Sequence, residues 1–172
     1  MRIAIAPPDF DQWDSLLALI TDAFRYMEPL ISPPSSAKIL TPISLKQKAE
    51  KEILLLATQD NDLIGCSFLR IEPTYLYIGK IAISEFHQRQ GIGGKFIRQA
   101  EHIAKSHRLP QLKLQTRIEL AQNHHAFQRL GFVKTGETTH PGYSQATSIT
   151  MTKYLDVESV KNDGATPNYS RK

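Results

Sequence analysis

Residues 83–94 read Ile-Ser-Glu-Phe-His-Gln-Arg-Gln-Gly-Ile-Gly-Gly, and the chemistry open to such a stretch is anion binding. Gly91, Gly93 and Gly94 sit where an apolar strand-like segment hands over to a helix-period segment beginning at Lys95. Without Cβ atoms the main chain can approach a ligand closely. The first-turn N–H groups of the helix have no partners within it, and the positive end of its dipole lies behind them. That combination suits phosphate.

Spacing narrows which phosphate compound. A P-loop needs Gly-x-x-x-x-Gly-Lys followed by Ser or Thr. Here Gly94-Lys95 would end it, but the first position is Arg89 and the residue after Lys95 is Phe96. A dinucleotide fingerprint fits Gly91 and Gly93 but again fails at Phe96, and no βαβ unit opens there. What remains is Gln88-x-x-Gly91-x-Gly93 with Ile83 five places before the glutamine. On the residues alone, an ordinary glycine-rich strand-to-helix turn is the alternative. A second stretch runs Asn123-His124-His125-Ala126-Phe127-Gln128-Arg129-Leu130-Gly131-Phe132. It reads as a helix capped by Asn123 and stopped by Gly131, with Phe132 opening a strand.

The elements that would position these groups follow from periodicity. Residues 2–6 read as a strand, and 10–27 as an amphipathic helix with Trp13, Leu16, Leu17, Ile20, Ala23, Phe24 and Met27 on one face. Residues 28–44 hold Pro29, Pro33, Pro34 and Pro42, a density that predicts no regular element. A short helix over 45–51 follows, with Ser44 as its cap. Strands are predicted over 53–59, 63–72 and 75–83, the first two joined by the turn Asp60-Asn61-Asp62. Gly79 inside the third suggests a bulge or a close backbone approach. Period two then puts Tyr75, Tyr77, Gly79, Ile81 and Ile83 on one face and Leu76, Ile78, Lys80 and Ala82 on the other. After the Lys95 helix come strands at 112–116, 132–138 and 147–154. From residue 156 onward no apolar period is left, which predicts a mobile tail over 156–172.

The two motifs, in this order and at this distance, resemble the GNAT superfamily of acyl-CoA-dependent N-acyltransferases. The likeness covers about residues 1–155, and the element order matches as well. It implies an α/β fold with a mixed, mostly antiparallel sheet of about seven strands and helices on both faces. It also implies an N-acetyltransferase that moves an acetyl group from acetyl-CoA directly to an amine. A non-catalytic acyl-CoA-binding module is the competing class. By the resemblance, Ile81, Ala82 and Ile83 pair with the coenzyme's arm through their main chain. Gln88, Arg89, Gln90, Gly91, Ile92, Gly93 and Gly94 wrap its pyrophosphate, and Asn123 and Phe127 lie near its far end. For catalysis the N–H of Ala82 is expected beside the thioester oxygen. Glu72, at the end of the third strand, is the candidate base acting through water, or else a solvated strand end. Tyr143 is a substitute proton donor, a contact to the acceptor or a packed loop side chain. Many members carry a tyrosine where this chain has Phe127, which puts the usual acid in doubt.

Composition bounds the rest. The 172 residues are 41% hydrophobic and 22% charged, ordinary for a soluble globular protein of one domain. Net charge is +4, and between Glu85 and Lys113 six cations face two anions, a local surplus that suits a small polyanion. No longer basic stripe with interleaved aromatics signals nucleic acid. No run of eighteen apolar residues signals a membrane span. A soluble, cytoplasmic protein is expected, with acetyl-CoA and an amine acceptor as partners; a homodimer is an open alternative. Cys66, the lone cysteine, reads as a buried inert thiol. No metal site is expected, since His124 and His125 diverge on a helix and no third ligand is evident. Segments 26–44 and 139–146 are expected to form the acceptor lips. They hold few charges, so the sequence signals no strongly charged acceptor.

Overall fold

The computed structural model describes residues 1–156. All but the first residue of the predicted tail therefore lie outside the described residues. Seven strands form one sheet: β1 (Arg2–Ile5), β2 (Ile53–Gln59), β3 (Asp62–Ile71), β4 (Leu76–Ile83), β5 (Gln111–Arg117), β6 (Val133–Thr138) and β7 (Ser148–Tyr154), in the order β1-β2-β3-β4-β5-β7-β6. Only β4 and β5 run parallel. The predicted α/β class with a mixed, mostly antiparallel sheet is what the chain forms.

Helices cover both faces because the central strands are apolar on both. Leu54 and Leu56 of β2 turn toward α1 (Trp13–Phe24) and α2 (Pro42–Ala49), packing with Leu16, Ile20, Leu45, Cys66 and Phe68. Their neighbours Leu55 and Ala57 face the other way. There α3 (Ile92–Ser106) lays Phe96, Ile97, Ala100 and Ile103 over Leu76, Ile78, Leu112 and Leu114. Strands buried on both faces need no polar alternation, which is why β2 and β3 read as nearly continuous apolar runs.

Local chemistry corrects several predicted boundaries. The first helix starts at Trp13 rather than residue 10; Phe10 instead packs edge-on against Trp13, ring centroids 4.8 Å apart. Its end tightens into a 3₁₀ turn over Arg25–Met27. The proline-rich stretch is not free of regular structure. Ser35 caps a 3₁₀ turn over Ser36–Ile39 by accepting the N–H of Ala37 at 3.1 Å. Pro42 stands in the first turn of α2, where its missing N–H costs nothing. The cap of α2 is Thr41, and Ser44 is the reciprocal member of a capping box. The hairpin turn holds as predicted, with Asp60 and Asn61 both at positive φ (51° and 72°), the backbone a tight two-residue turn demands.

The consequential correction lies in β4. Cys66 pairs with Ala82 and Phe68 with Gly79, so Ser67 faces two residues, Lys80 and Ile81. This is a β-bulge, one residue past the glycine that predicted it, with Lys80 at φ 49°. The extra residue breaks period two. Leu76 and Ile78 lie in the cluster under α3, and Ile81 and Ile83 pack against that same cluster. Ala82 instead joins the cluster under α1. The predicted face assignment holds for Leu76 and Ile78 and is reversed beyond the bulge, for Ile81, Ala82 and Ile83.

Cys66 is fully buried, and burial pushes its thiol up to about 12. Only thiolate reacts with disulfide or alkylating reagents. A thiol reagent at about pH 8, well below that value, should therefore leave the folded chain unlabelled and find its single cysteine only after denaturation. Mass spectrometry reads the result directly.

Candidate functional site

Parallel pairing between β4 and β5 is confined to Leu76–Leu112, Tyr77–Lys113 and Ile78–Leu114. Beyond these rungs both strands continue, β4 to Ile83 and β5 to Arg117, without pairing to each other. β5 keeps β7 along its whole length, and β4 keeps β3. The sheet therefore opens into a wedge that begins at the bulge.

Antiparallel neighbours alternate between pairs that exchange main-chain bonds and pairs that do not. Ser84 donates its N–H to the carbonyl of Ile64 at 2.9 Å. Ala82, two residues earlier and opposite Cys66, belongs to that bonded set. Its N–H is directed to β3, not into the wedge, which corrects its expected place beside a thioester. The neighbours Ile81 and Ile83 turn their main-chain groups toward the opening. Gln88 already caps the Ile83 carbonyl through Nε2 at 3.1 Å, tying the following loop back onto the strand.

That loop is tight. A 3₁₀ turn (Glu85–His87) leads through extended Gln88 and left-handed Arg89 (φ 61°) to Gly91 at φ 78°. Gly91 is the N-cap of α3, so the helix starts three residues earlier than the apolar period suggests and takes Gly93 and Gly94 into its first turn. The first helical bond runs from Lys95 to the Gly91 carbonyl at 3.1 Å. The N–H groups of Ile92, Gly93 and Gly94 thus have no helical acceptor, no side chain caps them, and no acidic residue stands in that turn. A Cβ on Gly91 would meet nothing within 4 Å, and one on Gly93 only Ile83 Cδ1 at 3.7 Å. The Arg98 guanidinium lies 3.5 Å from where a Gly94 Cβ would sit. Three free donors, open space and a cation form a cradle of diphosphate character.

On the far side of the wedge stands α4 (Ala121–Arg129). Asn123 is inside this helix, one turn past the Leu120 N-cap, not at its start. It exchanges hydrogen bonds with Tyr26 Oη at 3.2 and 3.4 Å. Phe127, one turn further on, packs against Phe132 with centroids 5.8 Å apart.

Of the other expected groups, Glu72 is not brought to the opening. It sits in the β3–β4 turn, its N–H on the Tyr75 carbonyl, with the three β4–β5 rungs between it and the wedge; Arg70 binds its carboxylate. Tyr143 does reach the mouth. Its Oη lies 2.9 Å from Ser32 Oγ, so the two expected lips meet.

Residues that the sequence did not single out complete the mouth. Ser32 donates its N–H to Glu119 at 3.2 Å, and Arg117, the last residue of β5, donates to the Pro33 carbonyl and to His140 Nε2. Lys80, at the bulge, reaches Ser36 Oγ at 3.3 Å; burial, and then the Lys48 ammonium, pulls it below the ordinary lysine range. These residues come from separate segments, and no spacing rule links them. Among the described residues no group of three or more His, Cys, Asp or Glu side chains could hold a metal ion. No helix there is long and apolar enough to cross a membrane.

Residues 13–132 match the profile of the acetyltransferase (GNAT) family. Solved structures share the fold. A GNAT family acetyltransferase from Elizabethkingia anophelis, crystallised with acetyl-CoA bound, superposes with a TM-score of 0.63 at 22% identity, covering 90% of this chain and 97% of that one. The GNAT family acetyltransferase of Streptococcus pneumoniae gives 0.67 at 20%, covering 90% and 98%. An IAA acetyltransferase from Bacillus cereus gives 0.61 at 20%, covering 90% and 99%. No curated protein matches the sequence.

Proposed function

Because the chain belongs to the GNAT acetyltransferase family, we propose that it transfers an acetyl group from acetyl-CoA to an amine, with the wedge between β4 and β5 as the coenzyme site. The observation that carries this reading is the continuity of a β4 edge that has no strand partner, its Ile83 carbonyl held only by the Gln88 side chain, with a helix first turn whose N–H groups are free. The open edge of β4 at Ile81 and Ile83 runs directly into the free N–H groups of Ile92, Gly93 and Gly94. A ligand with amide groups at one end and a diphosphate at the other matches that sequence of donors and acceptors.

In this reading the first turn of α3, flanked by Arg98, holds the pyrophosphate. Ile83 and Ile81 hold the arm as an added strand would be held. The N–H of Ile81, at the bulge, is the donor placed for the thioester oxygen as it gains negative charge, in place of Ala82. Asn123 and Phe127 line the thiol end. The acceptor enters across the lips, past Ser32 and Tyr143, on the face that carries α1. An alkylamine with pKa near ~10 is almost wholly protonated at neutral pH, so a base is needed. Glu119 is the carboxylate that contacts Ser32 at these lips, and it takes the base role first assigned to Glu72. The amine nitrogen forms its bond to the acetyl carbon, the C–S bond breaks, and the thiolate leaves with the electron pair.

A second reading, a coenzyme-binding module without turnover, is favoured by one observation: Phe127 has a ring and no proton to give. A panel of primary amines with acetyl-CoA, followed by a free-thiol reagent, separates the two. Buried Cys66 adds no background to that assay. Thiol release with any amine is the expected result. Binding of coenzyme A with no release on any acceptor would establish the module instead, and absence of binding would end both.

A further inference from the structure

The mouth of the wedge contains a cation without a counter-ion. Arg117 ends β5 at a height where the strand has lost β4 and keeps only Ser148 of β7. Leu112 and Leu114 face α3, so Lys113, Gln115 and Arg117 project to the opposite side, the one that the acceptor must approach. Two of the guanidinium's donors are used on neutral acceptors, the Pro33 carbonyl and His140 Nε2 at 3.3 Å. Arg117 Nε is buried with no partner at all. Among the described residues no carboxylate lies within 4.0 Å of Arg117.

His140 cannot supply charge compensation. Arg117 can only donate, so Nε2 must accept, and the proton sits on Nδ1, directed at Thr147 Oγ1 at 2.5 Å. Glu119, the nearest acid along the chain, is engaged by the main chain of Ser32. A partly buried guanidinium that meets only neutral groups is left with most of its desolvation cost unmet. Two hydroxyls of the same mouth, Ser32 Oγ and Tyr143 Oη, can donate to the same visitor.

We propose that the acceptor amine carries a carboxylate, which Arg117 binds at the mouth of the wedge, so that the substrate class is amino acids or amino-acid-like amines. The planar guanidinium fork suits a carboxylate better than a point charge would. This inference rests on the acetyl-transfer reading and names the substrate for the same site. The sequence of the two lips signals no strongly charged acceptor, because the cation comes from β5 and not from either lip.

The experiment compares amino acids with the corresponding amino acid amides as acceptors, at saturating acetyl-CoA, by thiol release. The expected result is a kcat/KM preference for the acids of about tenfold or more, expressed mainly in KM. In Arg117→Gln the ratio of acid to amide should fall to about one, and Arg117→Lys should restore part of it. Melting curves check that both variants are folded. Amides used as well as acids by the parent chain, or an acid preference unchanged in Arg117→Gln, would overturn the proposal while leaving the acetyltransferase intact. No turnover of either series by a chain that releases thiol with other amines would likewise overturn this inference alone, whereas no release with any amine by a chain that binds coenzyme A would overturn the acetyl-transfer reading and this inference with it.

Discussion

Replacing Gly93 by glutamate should reduce affinity for coenzyme A about a hundredfold, while the apoprotein melts at the same temperature or slightly higher. The two effects come from the same position. Gly93 is in the first turn of α3, and a Cβ there meets only Ile83 Cδ1, at an ordinary 3.7 Å. The backbone loses a first-turn helical glycine, which stabilises by less than the about 1 kcal/mol of an interior position. A carboxylate at a helix N-terminus adds a few tenths more. The same charge would stand within about 5 Å of a bound diphosphate. At an effective dielectric near 20, each repulsive pair there costs about 3 kcal/mol before salt screening. Calorimetry and a thermal melt on one preparation test both halves. Undiminished affinity would remove the diphosphate from this cradle. Gly91→Glu is a poorer probe, because φ of 78° strains any side chain irrespective of ligand.

Phe96→Ala should do the reverse. Phe96 is 1% exposed, and its ring lies against β3, 3.2 Å from where a Gly65 Cβ would stand. Truncating a buried phenylalanine costs about 3–5 kcal/mol. In a chain of this size that lowers Tm by roughly 10 °C. The free N–H groups of Ile92, Gly93 and Gly94 are untouched, so coenzyme affinity measured well below the melt should change little. Saturating coenzyme should recover part of the lost Tm, since a ligand that binds only the folded form adds to its stability. A variant that kept the parent's Tm would show that α3 is not anchored through this ring.

The contrast between the two variants also explains what could be read from the chain unaided. Cradle and core depend on local order: Gln88-x-x-Gly91-x-Gly93 before an apolar helix stripe, and Phe96, Ile97 and Ala100 at helical spacing. Loop, helix and fold class were therefore legible. The bulge was only half legible. Gly79 signalled an irregularity, but which residue is doubled depends on how β3 pairs, and Ser67 carries no mark of that. With Lys80 unpaired, period two fails for every residue after it, and Ala82 exchanged places with Ile81 and Ile83. The mouth was least legible of all. Arg117, His140, Ser32 and Glu119 are joined by packing across long stretches of chain, and their individual types are those of any polar surface. Glu72 was misplaced because a strand end in sequence does not say which end of the sheet is open.

The short β4–β5 seam has a mechanical consequence. Three rungs are all that stitch a four-stranded leaf (β1 to β4) to a three-stranded one (β5, β7 and β6), with α3 lying across the join as a cover plate. Of the strand pairings in the sheet this one has the fewest rungs, so a rocking of the two leaves about this line is the expected easy motion. A strand-like ligand seated in the gap lengthens the seam, so the occupied molecule is the more rigid body.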